Sequence, residues 1–313
     1  MQLGTKGDLT VAYAMTPFGG QERVTLQVKT PTQTIAFGQS GGRVYDWQVQ
    51  GMAPFVAGDN LGTDGLFMDM LWLPASARWS GDEVAEMTLV SCTNDGREAR
   101  ITYEGALKKG LPGVRLRKAY RVPAAGNSLG VEVTFRNERV DAEPLKLAYW
   151  SHNVLKAETT HFVGAQMTDE TARGVTTILT AEGLPAELRR DVFMPERIIG
   201  ATGPVYAEFL PQTKSGLVVR LPDSFMNVYR WSHYGKPMCG SEWMSRPLSL
   251  GAGATETLRF SVTAMPDATP EKLRAALGGE TGGGEGAGQP AALRLREAHR
   301  PGPACRLEGD GHR

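Results

Sequence analysis

The sequence predicts an all-β protein, a large antiparallel β-sandwich with few and short helices. Three observations carry that expectation. Apolar residues recur with period two through most of the chain, the spacing that puts alternate side chains on one face of a pleated strand. The periodic runs are separated by Gly, Pro, Asn and Asp turn signals such as Asn94-Asp95-Gly96 and Ala125-Gly126-Asn127. Helical patterns between the runs are too scarce for repeated βαβ crossovers, which argues against a parallel sheet.

In chain order, the first strands are RVTLQV with Val24, Leu26 and Val28 on one face, and RVYDWQV ending at Val49. Gly51 to Trp79 breaks the alternation: Phe, Met, Leu and Trp are mixed with Gly and Pro, and the stretch reads as a long structured loop. MTLVSC, ARITYEG with Ile101 and Tyr103, GVRLRKAYRV, and GVEVTFRN with Val131, Val133 and Phe135 follow. KLAYWSH, VYAEFL, SGLVVRL, SFMNVYRW and TLRFSVTAM complete the set. Pro185 to Phe193 is expected to form a turn or two of helix. Thr269-Pro270-Glu271 before KLRAAL offers an N-cap, a first-turn proline and a closing Gly278, and predicts one short terminal helix. The folded domain is therefore expected to span residues 1–277. Residues 278–313, rich in Gly, Pro and Arg, hold no run able to bury a strand and read as a disordered tail.

Composition narrows the function. The 313 residues are 41% hydrophobic and 22% charged, enough for a sizeable core. Basic and acidic residues number 34 each, so no global field draws nucleic acid or an anionic membrane. Cys92, Cys239 and Cys305 have no metal-binding spacing and read as free thiols. The start has no apolar leader segment and no later run approaches a membrane span, so the chain as written reads as soluble and cytoplasmic. A leader upstream of this start would change that reading. A phosphate-cradling Gly-rich loop, a Gly-x-Ser-x-Gly elbow and a His-Glu-x-x-His pair are all missing. Asp59, Asp64 and Asp69 lack the dense spacing of a calcium loop, and no metal site is expected.

Two clusters can carry chemistry. His152 closes the predicted strand that holds Tyr149, Trp150 and Ser151, and Asn153 follows it. An imidazole there can protonate a substrate oxygen near neutral pH, or can be hydrogen-bonded inside the sandwich. His161, a little further on, either shares its face or is solvated. The second cluster runs Arg230-Trp231-Ser232-His233-Tyr234, then Glu242-Trp243-Met244 and Arg246. Trp243 and Met244 would desolvate Glu242 toward the range useful to a general base, whereas pairing with Arg230 or Arg246 would keep it ionised. Trp150, Trp231, Tyr234 and Trp243 offer flat apolar platforms for the C–H face of a sugar, and Asn153 and Arg246 offer partners for its hydroxyls.

Taken in order, Gly41-Gly42-Arg43-Val44, Val133-Thr134-Phe135-Arg136-Asn137, Ala148 to Asn153, and Gly240-Ser241-Glu242 ahead of Pro247-Leu248-Ser249-Leu250 resemble the galactose mutarotase (aldose 1-epimerase) superfamily. The resemblance spans most of the folded chain. It implies a β-supersandwich with a sugar cleft on one concave face, His152 as general acid and Glu242 as general base. In that chemistry the carboxylate takes the anomeric hydroxyl proton while the imidazole protonates the ring oxygen; the ring opens, the carbonyl rotates and closure gives the other anomer. No cofactor is implied, and the partner is a sugar or oligosaccharide. Two departures stand out. The family's additional histidine, in a His-Gly-Phe-type segment, has no counterpart in Gly65 to Asp69, where only position recommends Asp69 or Arg78 as a substitute. The Pro-Gly-Glu turn is replaced by Ala252-Gly253-Ala254. The same sandwich serves polysaccharide lyases, glycoside hydrolases and non-catalytic carbohydrate-binding modules, so fold alone leaves these alternatives open. A uronate lyase would use Tyr234 or His233 as base with Arg230 and Arg246 neutralising the uronate. Oligomeric state is not addressed by any of these residues.

Overall fold

The computed structural model describes residues 3–73, 76, 78–140, 143–158, 160–163, 167–168, 178–179, 198–201, 205–221, 225–232, 236–245 and 247–278. The chain opens with β1 (Gly4–Lys6), β2 (Leu9–Phe18), β3 (Gln21–Lys29), β4 (Gln33–Phe37) and β5 (Val44–Val49), which pair in that order as one antiparallel sheet. Then come β6 (Met68–Leu73), β7 (Arg78–Trp79), β8 (Thr88–Asn94), β9 (Glu98–Leu107), β10 (Val114–Pro123), β11 (Ser128–Asn137) and β12 (Leu145–Leu155). Short pieces follow: β13 (His161–Val163), β14 (Met167–Thr168), β15 (Ile178–Leu179) and β16 (Ile198–Ala201). The last elements are β17 (Val205–Leu210), β18 (Ser215–Arg220), β19 (Phe225–Ser232), β20 (Cys239–Ser245), β21 (Leu248–Leu250), β22 (Thr255–Met265) and α1 (Pro270–Gly278).

A nine-stranded sheet runs β15-β13-β17-β18-β22-β11-β10-β9-β8, and a second sheet runs β14-β16-β19-β20-β12-β6-β7, with β21 also pairing β12. Pairing is antiparallel among the described strands except between β13 and β15. Alternation assigns the faces: Val114, Leu116, Tyr120 and Val122 of β10 and Leu129, Val131, Val133 and Phe135 of β11 are all buried, while Arg115, Arg121 and Arg136 on the opposite face are not. The sheets meet through aromatic rings. Phe135 of one lies 5.8 Å from Tyr149 of the other, and Trp243 lies 5.2 Å from Phe260. This is the sandwich expected from the period-two pattern.

One expectation is corrected. Gly51 to Trp79 is not all loop, because its second half forms β6, an interior strand between β12 and β7, and then β7 itself. Both sets of alternating side chains in Met68-Asp69-Met70-Leu71-Trp72-Leu73 are largely covered, so the polar alternate face that marks a half-buried strand never appears. The short terminal helix is present as α1: Thr269 Oγ1 accepts from Lys272 N at 3.2 Å, the side-chain cap expected of a threonine at that position. Pro185 to Phe193 and the Gly/Pro/Arg-rich segment from residue 279 lie outside the described residues. Cys92 and Cys239 are buried, and Cys305 lies outside the described residues. Among the described residues no helix is long and apolar enough to cross a membrane.

Candidate active site

β12 is the strand on which the site is built. Leu147, Tyr149, Ser151, Asn153 and Leu155 point between the sheets, so Ala148, Trp150, His152 and Val154 take the opposite face. On β20 the same alternation turns Ser241, Trp243 and Ser245 inward and Glu242 outward. The register then does the rest: His152 stands directly across from Glu242, with Met68 of β6 as its partner on the other side. His152 Nδ1 and Glu242 Oε1 are 2.6 Å apart. When the carboxylate is ionised it only accepts, and His152 then donates from Nδ1. Both groups are shielded, His152 being 6% exposed and Glu242 4%. Residues 90 apart in sequence thus meet as one side-chain pair.

The segment before β6 is fastened along the end of β12. Val154 N donates to Gly65 O at 3.0 Å, Ala57 N donates to Val154 O at 3.1 Å, and Gly65 N donates to Ala57 O at 2.9 Å. Gly65 has φ of +94°, and a Cβ there would lie 2.6 Å from Val44 O, so this close approach requires glycine. Trp150, two residues before His152 on the same face, packs edge-on with Trp79 at 4.9 Å, and Trp79 packs with Trp72 at 5.1 Å. The three half-buried indoles continue the face of the pair toward the edge of the sheet. Trp72 and Trp79 escaped sequence reasoning because they fell in the stretch read as loop.

Three residues expected to touch substrate face the core instead. Asn153 and Trp243 are each 2% exposed, and they border an internal cavity of about 10 Å³, room for one water, together with Phe67, Glu208 and Ser241. Trp243 packs on Phe67 and Phe260, and its Nε1 donates to Ser241 Oγ at 3.2 Å. Asp69 lies against Lys118 Nζ at 3.1 Å, fully inside. Burial pushes the Asp69 carboxyl up, opposed by Lys118, and pushes the Lys118 ammonium down, opposed by Asp69. The reason is the same in each case: a neighbour in sequence along a strand points to the opposite face. Asp69 therefore lies on the face opposite the His152–Glu242 pair.

Of the remaining candidates, Arg230 and Trp231 occupy β19 at the register positions opposite Ser241 and Gly240. His161 opens β13 across from Phe209. His233, Tyr234 and Arg246 lie outside the described residues, and with them both candidate bases and one of the two arginines of the uronate lyase reading.

No protein-family profile matches this sequence, and no curated protein matches it. Solved structures do. A galactose mutarotase-like protein from Clostridium acetobutylicum aligns at a TM-score of 0.57 and 9% identity, over 83% of this chain and 99% of its own. A galactose mutarotase related enzyme from Lactobacillus acidophilus aligns at 0.55 and 12% identity, over 77% of this chain and 97% of its own. A TPR-domain containing protein from Parabacteroides distasonis aligns at 0.60 and 12% identity over 92% of this chain, which spans only 57% of that protein. The architecture is that of a large antiparallel β-sandwich. More particularly, the fold is similar to that of solved galactose mutarotase-like and putative aldose 1-epimerase structures.

Proposed function

We propose that this protein binds a carbohydrate and interconverts the anomers of an aldose through His152 and Glu242. The observation that carries the reading is their 2.6 Å contact on the face turned away from the core, beside a tryptophan array. The anomeric hydroxyl and the ring oxygen are bonded to the same carbon, so an acid and a base already in contact can reach both. With His152 protonated and Glu242 ionised, the carboxylate takes the hydroxyl proton as the imidazolium protonates the ring oxygen. The C1–O5 bond breaks and C1 becomes an aldehyde. After rotation about C1–C2, Glu242 returns its proton to the carbonyl oxygen, His152 takes one from the attacking hydroxyl, and the pair is restored. Trp150 supplies an apolar surface for the sugar's C–H face.

Polarimetry of freshly dissolved α-D-glucose and α-D-galactose tests this directly. Acceleration by the wild type is expected, with losses of about 10²-fold or more in Glu242→Gln and His152→Ala. No acceleration, or undiminished rates in both variants, would remove the proposal. The shielding of the pair also favours a second reading, in which it ties β12 to β20 in a binding module without turnover. That reading expects sugar affinity by calorimetry that survives Glu242→Gln and falls in Trp150→Ala, with no mutarotation by any form.

A further inference from the structure

We propose that Asn153, on the core side of the sheet, is the positioning residue that holds His152 against Glu242. Its importance for turnover rests on the function proposed above; its geometry does not. One amide touches two strands and the residue that leads into a third. Asn153 Oδ1 accepts from Phe67 N at 2.9 Å, just ahead of β6. Its Nδ2 donates to Ser241 O on β20 at 2.9 Å and to Ser151 O on β12 at 3.0 Å. Ser151 and Ser241 are the residues that precede His152 and Glu242, and Asn153 stands directly opposite Ser241 in the ladder. The backbone under both members of the pair is therefore held by a single side chain.

The chemistry of the position is specific. It needs two donors and one acceptor in a setting 2% exposed and walled by Phe67, Leu155, Trp243 and Val262. Aspartate has no donors to give, and an aliphatic residue would leave the Ser241 and Phe67 groups without this partner. A one-residue slip of β20 would carry Glu242 to the core face, and the Asn153 contact to Ser241 opposes that slip. Two further restraints converge on the same residues. Ser241 Oγ donates to Glu208 Oε1 at 2.6 Å, tying β20 to β17 of the other sheet. Phe67 has φ of +62°, a strained conformation for a non-glycine residue, and its carbonyl also accepts from Lys118 Nζ. Asn153 thus anchors the strands on both sides of His152, one through Ser241 and one through Phe67.

The test uses full-length protein labelled with ¹⁵N-histidine, which carries five histidines, with His152→Gln assigning the signal. In the wild type a downfield Nδ1–H resonance of His152, hydrogen-bonded to Glu242, is expected. In Asn153→Ser and Asn153→Asp that resonance is lost to exchange. Leu155→Ala, on the same strand and the same cavity wall, should lower the melting temperature yet keep the resonance. Retention of the signal in both Asn153 variants, or its equal loss in Leu155→Ala, overturns the proposal. A measurement on the unmodified chain guards against failure to fold. The Nδ2 protons of Asn153, held by two buried carbonyls, should exchange slowly with solvent, and free exchange overturns the proposal as well. Mutarotation kinetics add a separate arm: kcat should fall about 10²-fold in the Asn153 variants with KM little changed. Absence of mutarotation in the wild type would strike the proposed function and leave the spectroscopic result standing.

Discussion

At Lys118 the alternation of GVRLRKAYRV places an ammonium in line with Leu116 and Tyr120 and so inside the core. It is held there by Asp69, by Gly41 O at 3.1 Å and by the Phe67 carbonyl. Lys118→Met should cost roughly 3–5 kcal/mol by urea unfolding, because a buried carboxylate is left without its cation. The double variant Lys118→Met with Asp69→Leu should recover most of that loss, and a double variant no better than the single one would contradict the pairing argument. The same alternation explains what could be read in advance at the candidate site. His152 and Glu242 were legible as residue types in a familiar order of motifs. Trp243 is suggested by its ring and Asp69 by position alone, and neither signal reports which face of its strand it occupies; Asn153 follows an expected strand end at His152, whereas β12 continues to Leu155 and its pleat sends Asn153 inward. Glu208 and Lys118 leave no signal, since their polarity is used in contacts between strands far apart in sequence.

Among the elements, strands with one wet face were the easiest to foresee. β3, β9, β10 and β11 each keep a clear polar alternate. β6 and β20 did not, because both of their faces are covered, and β20 in particular was read as a reactive cluster rather than as a strand. The β8–β9 hairpin was marked by its turn, and the turn has a titratable latch. Asp95 Oδ1 accepts from Arg97 N and Glu98 N, each at 2.8 Å, and these bonds hold its carboxyl below the usual 3.8. A lowered folded value means that the stabilisation is fully present above the unfolded value and is lost as pH falls through the folded one. Asp95→Ala should therefore melt below wild type at pH 7, with the two curves converging under about pH 4; a gap that persists in acid would show that the charge is not the cause. Gly65→Ala should destabilise by about 1–3 kcal/mol through its left-handed backbone and the Val44 carbonyl. Its effect on the strand ladder should appear as faster amide exchange at Val154.

For the molecule as a whole, the span from Met1 to Gly279 forms one compact unit. A chain ended at Gly279 is expected to keep its melting temperature within about 2 °C, because the deleted composition offers little apolar surface to pack. A larger drop would assign the terminal segment a structural role. The fold class itself was legible because periodicity and turn chemistry are local, while the order of strands is not. Nothing in the sequence of β22 announces that it stands between β18 and β11, at the middle of the nine-stranded sheet, with four strands on either side. That placement reaches back to how the molecule is made. A nascent polypeptide leaving the ribosome carries two half-built arrays with bare backbone edges until Met265 has emerged, and such edges recruit one another between chains. Translation halted before Thr255 should therefore give insoluble product rather than a smaller working protein, and holdase chaperones should associate with the growing chain until its last strand arrives.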